Sequence, residues 1–252
     1  MRELEQLREH LGAAMVGADT PLAAADQLCR ACVEMLEVDG ASVSVVHEGA
    51  TRGTFGSSGE LSRRIDEFQF TFGEGPCLDA VRHGSPVLVA DLDAATEQRW
   101  PAFREAVVNE GVSAVFALPV AVTTSYVGAL DLFRQSRGQL AEEQISGGLH
   151  AARLAALPLM DLMAADVNWD SAARGDDGWE QLASLERVEV YQATGMIVAA
   201  LDVDPVEAVV RLRANAYARA MTASEIAFAI VERRLSLDGP DWRAGSGGGS
   251  GL

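Results

Sequence analysis

Four arginines near the C-terminus, Arg187, Arg211, Arg213 and Arg219, are interspersed with Tyr191, Gln192 and Tyr217. A guanidinium offers phosphate a planar fork of donors, and a tyrosine ring stacks on an unpaired base. The set suits recognition of nucleic acid better than catalysis, because residues 179–237 contain no His and no Cys. Arg213 has a second reading, as an ion-pair partner of Glu207 or Glu225 within the same segment.

Thiols are the next reactive groups. Cys29-Arg-Ala-Cys32 has the spacing of a redox pair, and two such pairs can hold zinc. Here one pair lies in the middle of a helical stretch and no second pair follows, so both cysteines are expected as small buried residues. His47, His83 and His150 have no carboxylate partner at a useful spacing, and Asp91-Leu-Asp93 reads as a solvated acidic loop. No metal and no cofactor are expected. Phe68, Phe70 and Phe72 alternate in a chain that is only 6% aromatic, directly before Gly73-Glu-Gly-Pro-Cys77. Ordinary core packing is the plain reading of these aromatics.

Elements that position these residues follow from periodicity. Leu4, Leu7, Leu11 and Met15 predict one helix, Asp19-Thr20-Pro21 interrupts it, and Leu22 to Leu36 predicts a second. Ala41 to His47 and Thr51 to Ser57 predict a hairpin, with Val43 and Val45 alternating against Ser42 and Ser44. A short helix ending near Glu67 comes next, then a helix opened by Pro76, a strand over 86–90 and a helix from Trp100 to Glu110 closed by Gly111. Val112 to Val122 and Val127 to Phe133 predict the two clearest strands, and Ala141 to Ala165 a long helix, either packed on the sheet or a dimerising connector. The order implies an α+β fold around one antiparallel sheet.

Beyond an aperiodic segment at 166–178, three further helices are written in capping chemistry. Val190, Ala193, Ile197 and Ala200 share one face of the first. Asp204-Pro-Val-Glu207 opens the second, whose buried face is Val209, Leu212 and Ala216. Thr222-Ala-Ser-Glu225 is a capping box for the third, with Ile226, Ala229 and Ile230 as its stripe. An all-α three-helix bundle is expected. Gly245 to Gly251 is too glycine-rich to order itself.

Arg187, Gln192-Ala-Thr-Gly195, Glu207-Ala208, Leu212-Arg213, Ala216 and Ile226-Ala227 resemble the pattern of an ANTAR domain, the RNA-binding output of bacterial antitermination regulators. Ala220, Met221 and Ala223 depart from it where a glycine, a basic or polar residue and a leucine are usual. Gly73-Glu-Gly-Pro-Cys77, Arg99-Trp-Pro-Ala-Phe103, Leu118-Pro119 and Gly128-Ala-Leu-Asp-Leu-Phe133 resemble a GAF sensor domain. That resemblance implies a small-molecule pocket on the sheet face whose candidate wall is Phe68, Phe70, Phe72 and Cys77, with ordinary core packing as the alternative. The domains implied are a GAF-like sensor at 10–165, a linker at 166–178, an ANTAR-like unit at 179–237 and a tail at 238–252. The function implied is transcription antitermination, in which the C-terminal helices bind paired hairpins of a nascent leader transcript under control of a sensed small molecule, in a homodimer.

Charge bears on that expectation. The net charge is −17, of which residues 179–237 carry only −2 and residues 1–178 carry −14. Phosphate binding normally shows as a basic surface, so RNA affinity must come from a local arginine face and from stacking, released by the sensor. The absence of a long apolar run or a leader peptide at Met1 and the odd cysteine count point to a cytoplasmic protein that makes no membrane contact. Two alternatives stand beside this non-enzymatic reading. One is a GAF-type free methionine sulfoxide reductase using Cys29, Cys32 and Cys77, and the other a DNA-binding helical regulator.

Overall fold

The structure is a computed structural model that describes residues 2–47, 50–164, 187–239 and 242. Contacts divide the chain into two units, 1–186 and 187–252.

The first unit is built on a five-stranded antiparallel sheet. Its strands are β1 (Gly40–His47), β2 (Ala50–Ser57), β3 (Val87–Val89), β4 (Ala114–Val122) and β5 (Ser125–Arg134), in the spatial order β2-β1-β5-β4-β3. The two hairpins β1–β2 and β4–β5 meet through β1 and β5, so chain-distant strands lie at the centre. Helices α1 (Arg2–Ala14), α2 (Pro21–Leu36) and α6 (Glu142–Ala164) cover one face. Helices α3 (Glu60–Phe72), α4 (Pro76–His83) and α5 (Pro101–Asn109) cover the other. Thr20 caps α2 by accepting from Ala23 N–H at 3.1 Å, and Pro21 occupies its first turn, which is why the helical pattern restarts there.

Strand alternation sorts the two faces. Val43, Val45, Leu130, Leu132, Phe116 and Leu118 face α1, α2 and α6 in one apolar core that also takes in Cys29 and Cys32. On the opposite face Val115, Ala117 and Phe133 pack with Ile65, Phe68 and Phe103 in a second core. The aromatic stretch corrects the sequence expectation: α3 does not stop near Glu67 but runs to Phe72. Phe68 and Phe72 are therefore one turn apart and stack, with ring centroids 5.8 Å apart. Period-two spacing at 68, 70 and 72 signals no strand, because the i, i+4 pair inside it fits a helix equally well.

The second unit contains α7 (Val188–Leu201), α8 (Pro205–Ala218) and α9 (Ala223–Val231), each in contact with the other two. Val190, Ala193, Ile197, Ala208, Leu212, Ala216, Ile226, Ala227 and Ile230 are buried. Both predicted caps form. Asp204 accepts from Glu207 N–H at 2.9 Å, and Thr222 and Glu225 make the reciprocal pair at 3.1 and 2.7 Å. Ala200 departs from the expected buried face of α7 and is exposed, and Val209 and Ala229 are only partly buried. The expected start at Trp179 and the segment 166–178 lie outside the described residues.

Candidate functional site

Beneath α3 the apolar sheet face is interrupted by polar side chains with almost no access to solvent. Ser42 and Asp131 are paired across β1 and β5, and Ser44 lies two residues along the same face. All three are fully buried, as are Asp66 and Gln69 from α3 and Cys77 from α4. Asp66 and Gln69 are three residues apart on one helix, so both point down onto the strands. Asp66 accepts hydrogen bonds from the hydroxyls of Ser44 and of Thr54 on β2. Gln69 Nε2 donates to Asp131 Oδ2 at 2.7 Å, while its Oε1 accepts from Cys77 N–H at 2.8 Å. Asp131 Oδ1 and Ser42 Oγ are buried without a hydrogen-bond partner.

A buried carboxyl without full hydrogen bonding disfavours its charged form. Burial, aided by the nearby Asp66 carboxyl and opposed by the Gln69 bond, pushes Asp131 up to about 8. Asp131 is thus a neutral acid at pH 7, able to donate as well as accept. Burial also raises the Cys77 thiol well above its usual range, with the Asp131 and Asp66 carboxyls adding to the effect.

The segment Gly73-Glu-Gly-Pro-Cys77 holds this arrangement in place. Gly73 ends α3 in the left-handed region at φ 66°, its N–H donating to the Gln69 carbonyl at 3.0 Å. Glu74 reaches α5, where its Oε1 accepts from Ala102 N–H at 2.8 Å and Phe103 N–H at 3.1 Å and caps that helix. Gly75 has φ 147°, and a Cβ there would stand 2.4 Å from Gln69 Oε1. Pro76 starts α4. The Arg99-Trp-Pro-Ala-Phe103 motif meets the same corner, since Trp100 Nε1 donates to Asp79 Oδ2 at 3.0 Å and the Arg99 guanidinium lies 4.3 Å above the Trp100 ring. Two motifs far apart in sequence thus form one joint between α3, α4 and α5.

Of the sequence-predicted pocket wall, Phe68 is core, Phe70 and Phe72 are half-buried and Cys77 is fully buried. None of the four lines either of the surface clefts at Arg30–Ser62 or at Met15–Asp161. Sequence reasoning missed Asp66, Gln69, Ser42, Ser44, Thr54 and Asp131. One signal was present: Asp131 is a lone charge in the apolar run Gly128-Ala-Leu-Asp-Leu-Phe133. The acidic loop stays in contact with solvent, with Asp93 exposed, and Arg137 bridges Asp91 at 3.3 Å and Asp93 at 3.2 Å. Cys29 and Cys32 are buried in α2, as expected, with burial pushing the Cys32 thiol up to about 12. Among the described residues no cluster of His, Cys, Asp and Glu is placed to hold a metal, and no helix is long and apolar enough to cross a membrane.

In the second unit the seven predicted nucleic-acid contacts divide. Tyr191 and Tyr217 are 54% and 53% exposed, and Gln192 and Arg219 are exposed beside them in sequence. Arg187 corrects the expectation of a single arginine face: it is only 5% exposed. Arg213 is half-buried, and burial together with the charge of Arg187 lowers its pKa. Arg211, rather than Arg213, takes Glu207, through Nε to Oε1 at 3.0 Å, and it also donates to the Trp242 carbonyl. Ala220, standing where the resemblance expects a glycine, takes φ 51°.

A family model described as GAF domain matches residues 18–157. Among solved structures, the chain is similar to the GAF domain of a phosphoenolpyruvate-protein phosphotransferase from Coxiella burnetii, with 16% identity, a TM-score of 0.54 and coverage of 65% of this chain and 96% of that one. It is also similar to a free methionine-R-sulfoxide reductase from Neisseria meningitidis in complex with its substrate, with 15% identity, a TM-score of 0.51 and coverage of 64% and 91%. No curated protein matches the sequence. At these identities the likeness shows the fold alone.

Proposed function

The chain belongs to the GAF domain family, and from the resemblance of its C-terminal residues to an ANTAR domain we propose that it is a sensor-controlled transcription antitermination regulator. In this reading the first unit binds a small molecule in the polar cluster beneath α3. The α7–α9 unit is an ANTAR-like three-helix bundle that binds tandem-hairpin leader RNA. The observation that carries the output half is the exposure of Tyr191 and Tyr217, two rings about half accessible and near Gln192 and Arg219 in sequence, in a chain poor in aromatics. Rings so placed are stacking platforms for unpaired bases. Because Arg187 is buried and Arg211 is held by Glu207, few cations remain for phosphate, and stacking supplies much of the affinity. The protein acts as a homodimer, with α6 as the joining element; Leu157 and Met160 on that helix are 53% and 42% exposed.

The test is a gel shift of the full chain with tandem-hairpin RNA at low salt, beside DNA hairpins of the same sequence. Binding to RNA that is lost in a Tyr191→Ala, Tyr217→Ala double variant of unchanged thermal stability supports the reading. Absence of RNA binding at low salt by both the full chain and a 179–237 fragment refutes it, and equal binding to DNA favours a DNA-binding regulator.

The second reading, thiol-dependent reduction of methionine sulfoxide, needs a thiolate at an accessible site. Here the Cys77 thiol is fully buried and raised, and Cys29 and Cys32 pack against the opposite face of the sheet. We therefore favour a sensor without catalytic activity.

A further inference from the structure

Gln69 uses its carboxamide in a particular way. The NH2 end donates to Asp131 on β5, and the C=O end accepts from the first turn of α4 at Cys77 N–H. Gly75 leaves the space this group occupies free of a Cβ. Asp131 Oδ1 and Ser42 Oγ, fully buried at paired strand positions, remain without partners. Buried polar atoms are normally satisfied because each unmet one is costly. The slot thus holds two polar atoms more than the Gln69 side chain uses.

We propose that this slot is a recognition site for a primary carboxamide ligand, and that the Gln69 carboxamide is its resident competitor, which such a ligand must displace. The ligand NH2 donates to Asp131 and Ser42, which together use both of its hydrogens. The ligand C=O takes the Cys77 N–H at the positive end of α4. Asp66 does not compete for it, being engaged by Ser44 and Thr54. Displacing Gln69 cuts the bonds that tie α3 to β5 and to α4, so ligand binding loosens that joint. The proposal rests on the sensor reading for its consequence, not for its chemistry.

The experiment follows thermal unfolding of the full chain, wild type and Gln69→Ala, with acetamide, with acetone, which has the same shape but no N–H donor, and with acetate. The expected result is a saturable rise in the Tm of Q69A with acetamide alone. The wild type should respond only at concentrations on the order of 100-fold higher, because the binding-competent fraction is small while Gln69 occupies the slot. No response of Q69A to acetamide, an equal response to acetone, or equal responses of Q69A and wild type would overturn the proposal. If Q69A is recovered unfolded, refolding in acetamide but not in acetone supports it, and refolding in neither overturns it. The same samples are then tried in the RNA gel shift: acetamide binding that leaves RNA binding unchanged keeps the slot and removes its coupling to the output.

Discussion

Asp131→Asn should stabilise the protein at neutral pH, and the size of the gain follows from the site. Asp131 is fully buried, and its folded-state pKa is pushed up to about 8 against an ordinary value of 3.8. Between those two values the folded chain holds a proton that the unfolded chain has released. Stability from this group is therefore complete below the unfolded value and declines as pH rises toward the folded one. Each pH unit across the window is worth about 1.4 kcal/mol, so by pH 7 the loss approaches a ceiling of about 4 kcal/mol. Asparagine removes this titration. Its Oδ1 still accepts from Gln69 Nε2, and it carries no charge to bury. With relaxation of a buried site taken into account, D131N should exceed wild type at pH 7 by on the order of 2 kcal/mol and match it near pH 4. The assay is urea unfolding of both chains at pH 5, 6, 7 and 8 at fixed ionic strength. A wild-type slope steeper than that of D131N is expected. Parallel pH curves for the two chains would refute the reasoning, because they would mean that Asp131 titrates alike in the folded and unfolded states.

Two further outcomes are expected. Cys29, Cys32 and Cys77 are all buried with raised thiols, so a thiol reagent at pH 8 should modify none of them rapidly in the folded chain and all of them in urea; rapid modification of one thiol in the folded chain would revive the reductase reading. Thr222→Ala removes one half of the α9 capping box and should cost about 1 kcal/mol, read as faster amide exchange in residues 223–231 than in wild type, with no change in β4 or β5.

Much of the chain was legible because its signals are local. Thr20-Pro21, Asp204-Pro205 and Thr222 to Glu225 place helix starts where the caps form, since a cap is made by residues three apart. The hairpins could be read from alternation broken by turn residues, and the buried cysteines from their position within a helical repeat. Gly73 to Cys77 could be picked out as a motif, but not explained. Its residues serve partners elsewhere: Glu74 caps α5 and Gly75 makes room for Gln69.

The sequence by itself determined where the capped helices begin, the α+β order of the first unit and most of each apolar face, because those depend on neighbours within a few residues. Only the tertiary structure decided which polar residues converge. Ser42, Asp66, Gln69 and Asp131 come from β1, α3 and β5, and nothing in their spacing announces that β1 and β5 lie side by side at the centre of the sheet. The same holds for the arginines of the second unit, where burial took Arg187 and an ion pair took Arg211, leaving Tyr191, Gln192, Tyr217 and Arg219 on the surface. Side-chain chemistry is written residue by residue, whereas exposure and partnership are set by packing between segments that the chain brings together from far apart.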